Sequence, residues 1–394
     1  MNLCCRHRIL RAYIGFVARR NSKIRILLTA TFAAVAAGLW PKDEASADGV
    51  RGSALNWGRL VEFVSQAPQV FTPGMSTVVT LAGDSLNTVS KPVAAFHLQG
   101  TLNIDPAHRE ADEAKQNFPG VLALAICARL EQVAIHQACL TKAASVLLDW
   151  VGTYRPSGNP INDQFMTPLL QSADLVMPEL PPRDRERLSA WLREFAAAGD
   201  RFYIHVPPEH PSRANNWMAA RLLIRALTST IVDDAGMQAE TRNLFDDFIA
   251  RNFVTGADGT RNGATFDFIQ RDALYYHVVD LRSLAEIALY TPAITDANTR
   301  KIIEKGIDFL KPYYLGERQH IEFQNTTVPF DAKRINEDRH NSAFQLQPWK
   351  PAGAQLLLLL GRALFPGVRS WTGNPSSEDL APQLAILAAL YDQN

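Results

Sequence analysis

Between Gly259 and His277 the chain reads Gly-Thr-Arg-Asn-Gly-Ala-Thr-Phe-Asp-Phe-Ile-Gln-Arg-Asp-Ala-Leu-Tyr-Tyr-His. One cation (Arg271), two phenols (Tyr275 and Tyr276) and an imidazole (His277) are crowded together there. A guanidinium binds carboxylates through paired hydrogen bonds, and phenol and imidazole groups carry protons. The chemistry on offer is recognition of an acidic ligand, with groups able to move a proton beside it. The same residue types next to an apolar stripe also serve as core residues with satisfied polar tips.

The elements that must position these groups are a loop and a helix. A loop rich in glycine and small polar residues ends at Asp267. Leu274, Val278, Leu281, Leu284, Ala285 and Ala288 then recur at helical spacing. Asp267 reads as the N-cap, with Gln270 as its capping-box partner. On that reading Arg271 occupies the first turn, Tyr275 lies one turn on along the same side, and Tyr276 stacks over Asp272. A helix N-terminus favours anions. A charged residue in a first turn contributes modestly to folding, so loss of Arg271 is expected to change stability little.

A second constellation is Ser212-Arg213-Ala214-Asn215-Asn216-Trp217, at the start of a helical pattern. The amides of Asn215 and Asn216 suit a carboxylate and the face of Trp217 suits a sugar ring. The competing reading is plain capping by Asn215 with Trp217 in the core. His97, in Phe96-His97-Leu98-Gln99-Gly100, and Lys91 are weaker candidates, and His136 falls in an apolar helical pattern and reads as structural. In His205-Val-Pro-Pro-Glu209-His210 the two prolines prevent the one-face helical spacing of zinc peptidase motifs, so no metal site is assigned. No P-loop, GxGxxG or G-x-S-x-G motif occurs. Gly83-Asp84-Ser85-Leu86 follows a β-rich stretch, Ser76 to Leu81, and resembles the nucleophile block of GDSL esterases, where Ser85 would attack. That chemistry needs an α/β sheet and a late histidine. The chain lacks repeated β–α alternation, and Asp338-Arg339-His340 matches the required block only loosely.

Residues 1–25 carry seven lysines and arginines and no acid, Ile26 to Trp40 is an apolar run of 15 residues, and Ala45-Ser46-Ala47 follows. That order reads as a signal peptide over 1–47. The run is short for a membrane span, so no stable membrane association is expected after cleavage. Arg19-Arg20 hints at twin-arginine export, but the residues after the pair fit that pattern poorly. The expected location is periplasmic or secreted. The remaining residues, 48–394, are expected to form one domain. Net charge over the whole chain is zero; without the basic leader the rest is acidic, and no basic stripe with interleaved aromatics points to nucleic acid. Cys127 and Cys139 remain in the mature part, which export places in an oxidising compartment; a disulfide between them and two free buried thiols are both open readings. In one continuous helix they would stand about 18 Å apart, so a disulfide requires a break between them.

From Val121 onward the pattern is helical. The expected helices are Val121 to Trp150, Phe165 to Val176, Arg183 to Ala198, Asn216 to Ile231, Met237 to Phe253, Asp272 to Tyr290, Asp296 to Tyr313, Ala352 to Phe365 and Pro382 to Tyr391, with a short one over Asn56 to Gln66. Their succession suggests antiparallel helix hairpins. Gly316 to Lys350 is long for a connection in a compact domain, and such loops are often functional or cover a cleft.

Asn215-Asn216-Trp217, followed roughly two helices later by Arg271-Asp272-Ala273-Leu274-Tyr275-Tyr276-His277, resembles the alginate lyase-type polysaccharide lyases. Those enzymes open one inner helix with an Asn pair and carry Arg and a Tyr-His pair on a later one. The resemblance covers about Ser212 to Tyr290. It implies an all-α fold, an incomplete (α/α) toroid of antiparallel helix hairpins, here with a small irregular or β-containing N-terminal segment. It also implies β-elimination on an acidic polysaccharide or oligosaccharide, such as alginate. Two departures stand out: Trp217 occupies the place where the family commonly has histidine, and the arginine-to-tyrosine spacing differs. For this chemistry Arg271 and Asn216 would neutralise the uronate carboxylate, and Tyr276 or His277 would take the C5 proton. Asn215, Trp217, Tyr275 and His97 would bind substrate. No metal or cofactor is required. A helical-toroid glycoside hydrolase using Asp267 and Asp272, and a non-catalytic periplasmic glycan-binding protein, are the alternatives.

Overall fold

The computed structural model describes residues 68–102, 104–130, 133–253, 262–291, 294–337 and 344–372, all within one unit, Val50–Asn394. The leader, the Asn56 to Gln66 and Pro382 to Tyr391 helices, and Asp338-Arg339-His340 lie outside the described residues. The main helices are α1 (Pro68–Ser85), α2 (Pro106–Lys115), α3 (Phe118–Ala128), α4 (His136–Thr153), α5 (Thr167–Val176), α6 (Pro182–Ile204), α7 (Asn216–Ile231), α8 (Ala235–Asn252), α9 (Phe266–Arg271), α10 (Leu274–Tyr290), α11 (Ala297–Phe309), α12 (Pro329–Glu337), α13 (Gln355–Leu364) and α14 (Pro366–Thr372). No strand occurs among the described residues; the extended pairings are two isolated bridges, Phe253 with Thr265 and Ile321 with Pro348.

Composition decides which helices lie inside. In α3, Phe118 and every residue from Gly120 to Cys127 are buried; α5 is buried from Leu169 to Val176. A helix apolar all round must be enclosed by others. Accordingly α3, α5, α7, α10 and α13 form an inner row, each packed on the next. Around them α4 packs on α3 and α5, α6 and α8 on α7, α11 on α10 and α13, and α14 on α13. Inner and outer helices thus alternate along the chain, the construction of an incomplete (α/α) toroid. The outer α6 keeps the charged face of an amphipathic helix. Two arginines buried on α7 tie the layers together: Arg221 and Arg225 each reach Asp200 of α6 at 2.6 Å, and Arg225 also reaches Glu240 of α8 at 2.5 Å.

The structure corrects several sequence expectations. Ser76 to Leu81 is not a strand but part of α1, and Ser85 ends that helix with 8% exposure, so the strand-and-turn that exposes an esterase serine does not exist here. Val121 to Trp150 is two helices, α3 and α4. The break brings Cys127 and Cys139 together as a disulfide, with Cα atoms 5.9 Å apart. α6 runs six residues beyond Ala198 and begins at Pro182, next to Pro181, where a missing N–H costs nothing. The Gly316 to Lys350 segment is not structureless; it contains α12.

Candidate active site

The α9–α10 junction differs from the single capped helix expected there. Thr265, not Asp267, caps α9 by accepting the Phe268 N–H. The helix ends at Arg271, because Asp272 adopts a left-handed conformation with φ 48°. That conformation is costly for most residues. It is held here by Asn325, whose backbone N–H and Nδ2 donate to the Asp272 carboxylate at 2.8 and 2.9 Å. Ala273 is extended, and α10 starts afresh at Leu274. The interruption changes the helical phase. Arg271 therefore lies over the ring of Tyr276, with Cζ 4.0 Å from the centroid, rather than forming the expected pair with Tyr275.

Arg271 is also not a free cation. Its side chain is 10% exposed; Nε donates to Asp267 Oδ1 at 3.0 Å and Nη1 to Asp331 Oδ1 at 2.5 Å. Burial works against its charge, but Tyr276, Asp267 and Asp331 outweigh it and raise its pKa. Asp267 is fully buried. Its second oxygen accepts the Asn216 N–H at 2.7 Å, so it caps the start of α7 instead of its own helix. Nearby, Asn252 Nδ2 donates to Asp280 Oδ2 at 3.1 Å and to the Ala214 carbonyl at 3.0 Å. Burial, with Asp267 beside it, pushes the Asp280 carboxyl well above the usual carboxylate range. Burial raises the Asp267 pKa as well, against the opposing pull of Arg271 and the Asn216 N–H.

Tyr276 is 6% exposed and packs with Ala273 and Phe323, under Tyr275, Ile335 and Phe344. Arg334 Nη1 donates to its hydroxyl at 2.5 Å. Burial raises the Tyr276 pKa against the opposing pull of Arg271 and Arg334.

His277 stands apart from this group. It is fully enclosed, its Nε2–H donates to the Gly306 carbonyl at 3.0 Å, and Nδ1 pairs with Thr265 Oγ1 at 3.0 Å. Burial lowers its pKa to about 4. Both nitrogens serve the fold, tying α10 to α11 and to the start of α9. The expectation that His277 is a base is corrected by that enclosure. Asn215 performs the capping role, accepting the Trp217 N–H at 3.0 Å. Asn216 is buried, with its side-chain Oδ1 enclosed and unpartnered. Trp217 is half-buried beside Phe202. Tyr275 is half-buried against Phe344. His97 is exposed, on a loop pinned by Asn162 Oδ1, which accepts the Leu98 and Gln99 N–H groups at 2.8 and 3.3 Å.

Four residues escape a motif reading: Glu322, Asp331, Arg334 and Phe344. All come from the long Gly316 to Lys350 segment, and its length was the one signal for them. Neither acid of the glycoside hydrolase alternative is free: Asp267 is buried with Arg271, and Asp272 holds Asn325.

The model of the alginate lyase family matches residues 90–320, more than half of the chain. The chain belongs to the alginate lyase family. Family membership makes it a polysaccharide lyase and agrees with its two-layer helical architecture. Among solved structures it is similar to alginate lyase A1-III from Sphingomonas species A1 and to a variant of that enzyme complexed with a tetrasaccharide. Each is 14% identical with a TM-score of 0.46, over 81% of this chain and 99% or 98% of theirs. No match is found among curated proteins. Among the described residues of this alginate lyase family member, no helix is long and apolar enough to cross a membrane.

Proposed function

We propose that the chain is an exported lyase that cleaves a uronate-containing polysaccharide, such as alginate, by β-elimination. The observation that carries this is the contact between Arg271 and Tyr276 inside the segment matched by the family model. β-Elimination removes a weakly acidic proton beside a carboxylate and expels the 4-linked oxygen. It needs a group that exchanges a proton in a site that tolerates negative charge. Tyr276 is that group. The cationic face of Arg271 is fixed against its ring by two carboxylates, so the favourable field is in place before substrate arrives. Asn216 and Trp217, at the start of α7, supply an amide and a sugar-binding surface. Phe323 and Phe344 cover the phenol and must shift for a sugar ring to reach it. The basic, apolar and Ala-x-Ala order of residues 1–47 supports export.

The test is to give the purified protein alginate, polyglucuronate and glycosaminoglycans and follow the absorbance of the unsaturated uronate product. Activity on at least one is expected, and Tyr276→Phe should abolish it. Silence on all of them sinks the proposal. Reducing ends without the double bond would indicate hydrolysis. N-terminal sequencing of protein recovered outside the cytoplasm should begin just after Ala47.

A further inference from the structure

Two guanidinium groups meet Tyr276 by different routes. Arg271 lies on the ring face and is occupied by Asp267 and Asp331. Arg334, from α12, donates to the phenolic oxygen itself at 2.5 Å. Its nearest acid, Asp331, is 3.8 Å away, and its plane is held against Phe330 and Phe344, 4.4 and 4.2 Å from their centroids. The cation on the ring face favours the phenolate through space, without touching its oxygen. A cationic donor aimed at the oxygen favours the phenolate, because the contact gains a full opposite charge when the acceptor ionises. The charged and titratable groups facing Tyr276 are Tyr275 on its own helix, Arg271 on α9, and Asp331 and Arg334 on α12. Of these, Arg334 alone touches the hydroxyl.

We propose that Arg334 is a positioning residue that orients the Tyr276 hydroxyl and stabilises negative charge on its oxygen during proton transfer. The inference rests on the lyase reading above and assigns a role to a residue outside the segment matched by the family model. The two phenylalanines fix the plane of the guanidinium. A lysine, with a flexible ammonium and no plane to stack, cannot replace it.

The experiment uses the full chain with 13Cζ-labelled tyrosine. The protein has nine tyrosines, and the resonance missing from Tyr276→Phe identifies Tyr276. Arg334→Met should move that resonance at neutral pH and raise its titration midpoint by about one unit or more, a tenfold loss of phenolate. On the best acidic polysaccharide, kcat should fall about 10- to 100-fold with KM within about threefold, and the alkaline shift should appear in the pH profile of kcat. Arg334→Lys should not rescue, and circular dichroism should show both variants folded. An unmoved Tyr276 resonance, or an unchanged kcat in Arg334→Met, overturns the assignment. Should Arg334→Met fail to fold, the same resonance is read in Arg334→Lys. If the wild-type protein cleaves none of the polysaccharides, the lyase reading fails, while the resonance still decides whether Arg334 governs the phenol.

Discussion

Arg271 lies flat over the ring of Tyr276 while Asp267 and Asp331 hold its nitrogens from two sides. The arginine is thereby the central cation of a buried network that joins α7, α9, α10 and α12. Removing one member of a buried ion pair leaves a charge in the interior with no partner and no water.

Arg271→Ala should accordingly destabilise the protein by about 3–5 kcal/mol, since fully buried Asp267 loses its counter-charge. This reverses the sequence expectation of a small effect. Urea denaturation followed by circular dichroism measures it. A variant within about 1 kcal/mol of wild type would show that the network does not hold the junction.

His277 should make the fold sensitive to acid. Its folded pKa of about 4 lies below the ordinary 6.5. Between those values the unfolded chain takes up a proton that the folded protein does not, so stability falls as pH falls across that window. The slope contributed is at most about 1.4 kcal/mol per pH unit. His277→Gln should lose this slope relative to wild type in melting curves recorded from pH 7 to 4, and a variant that keeps the wild-type slope refutes the assignment.

Glu322 acts with the opposite sign. One carboxylate oxygen accepts the Tyr275 N–H at 3.0 Å at the start of α10, and the other is enclosed without a partner. Burial pushes its pKa up to about 8, from 4.5. Between those values the folded protein holds a proton that the unfolded chain has released. Stability therefore falls as pH rises from 4.5 to 8 and levels off above. Glu322→Gln, which keeps an acceptor for the helix N-terminus, should be relatively more stable at pH 8.5 than at pH 5. Parallel stability curves for variant and wild type would refute the assignment.

The disulfide closes a short loop between α3 and α4. Replacing Cys127 and Cys139 by alanine should cost about 3 kcal/mol through loss of that constraint on the unfolded chain. A lower denaturation midpoint with native helix content in the double variant checks this.

Local pattern alone was enough for much of the architecture. Asn216 to Ile231 was legible to the residue because Asn215 supplies a cap and the apolar positions follow directly. The all-α class followed from many such segments, and the Asn pair with the Arg-to-His run marked the family. Three matters were decided only by tertiary structure. Asp272 adopts a left-handed conformation because Asn325, 53 positions later, holds its carboxylate. Nothing in the neighbouring residues forces that break, yet it determines which tyrosine meets Arg271. Asp267 is a good local N-cap by type, but its carboxylate accepts the Asn216 N–H of α7, 51 residues away, and Thr265 caps α9 in its place. His277 was indistinguishable from a catalytic imidazole by type and spacing. It is structural because α11 places the Gly306 carbonyl against one ring nitrogen and the turn into α9 places Thr265 against the other. Side-chain type and spacing specify which groups a helix can present. Which of them stay free for chemistry depends on partners brought in from distant positions, and that is a property of packing.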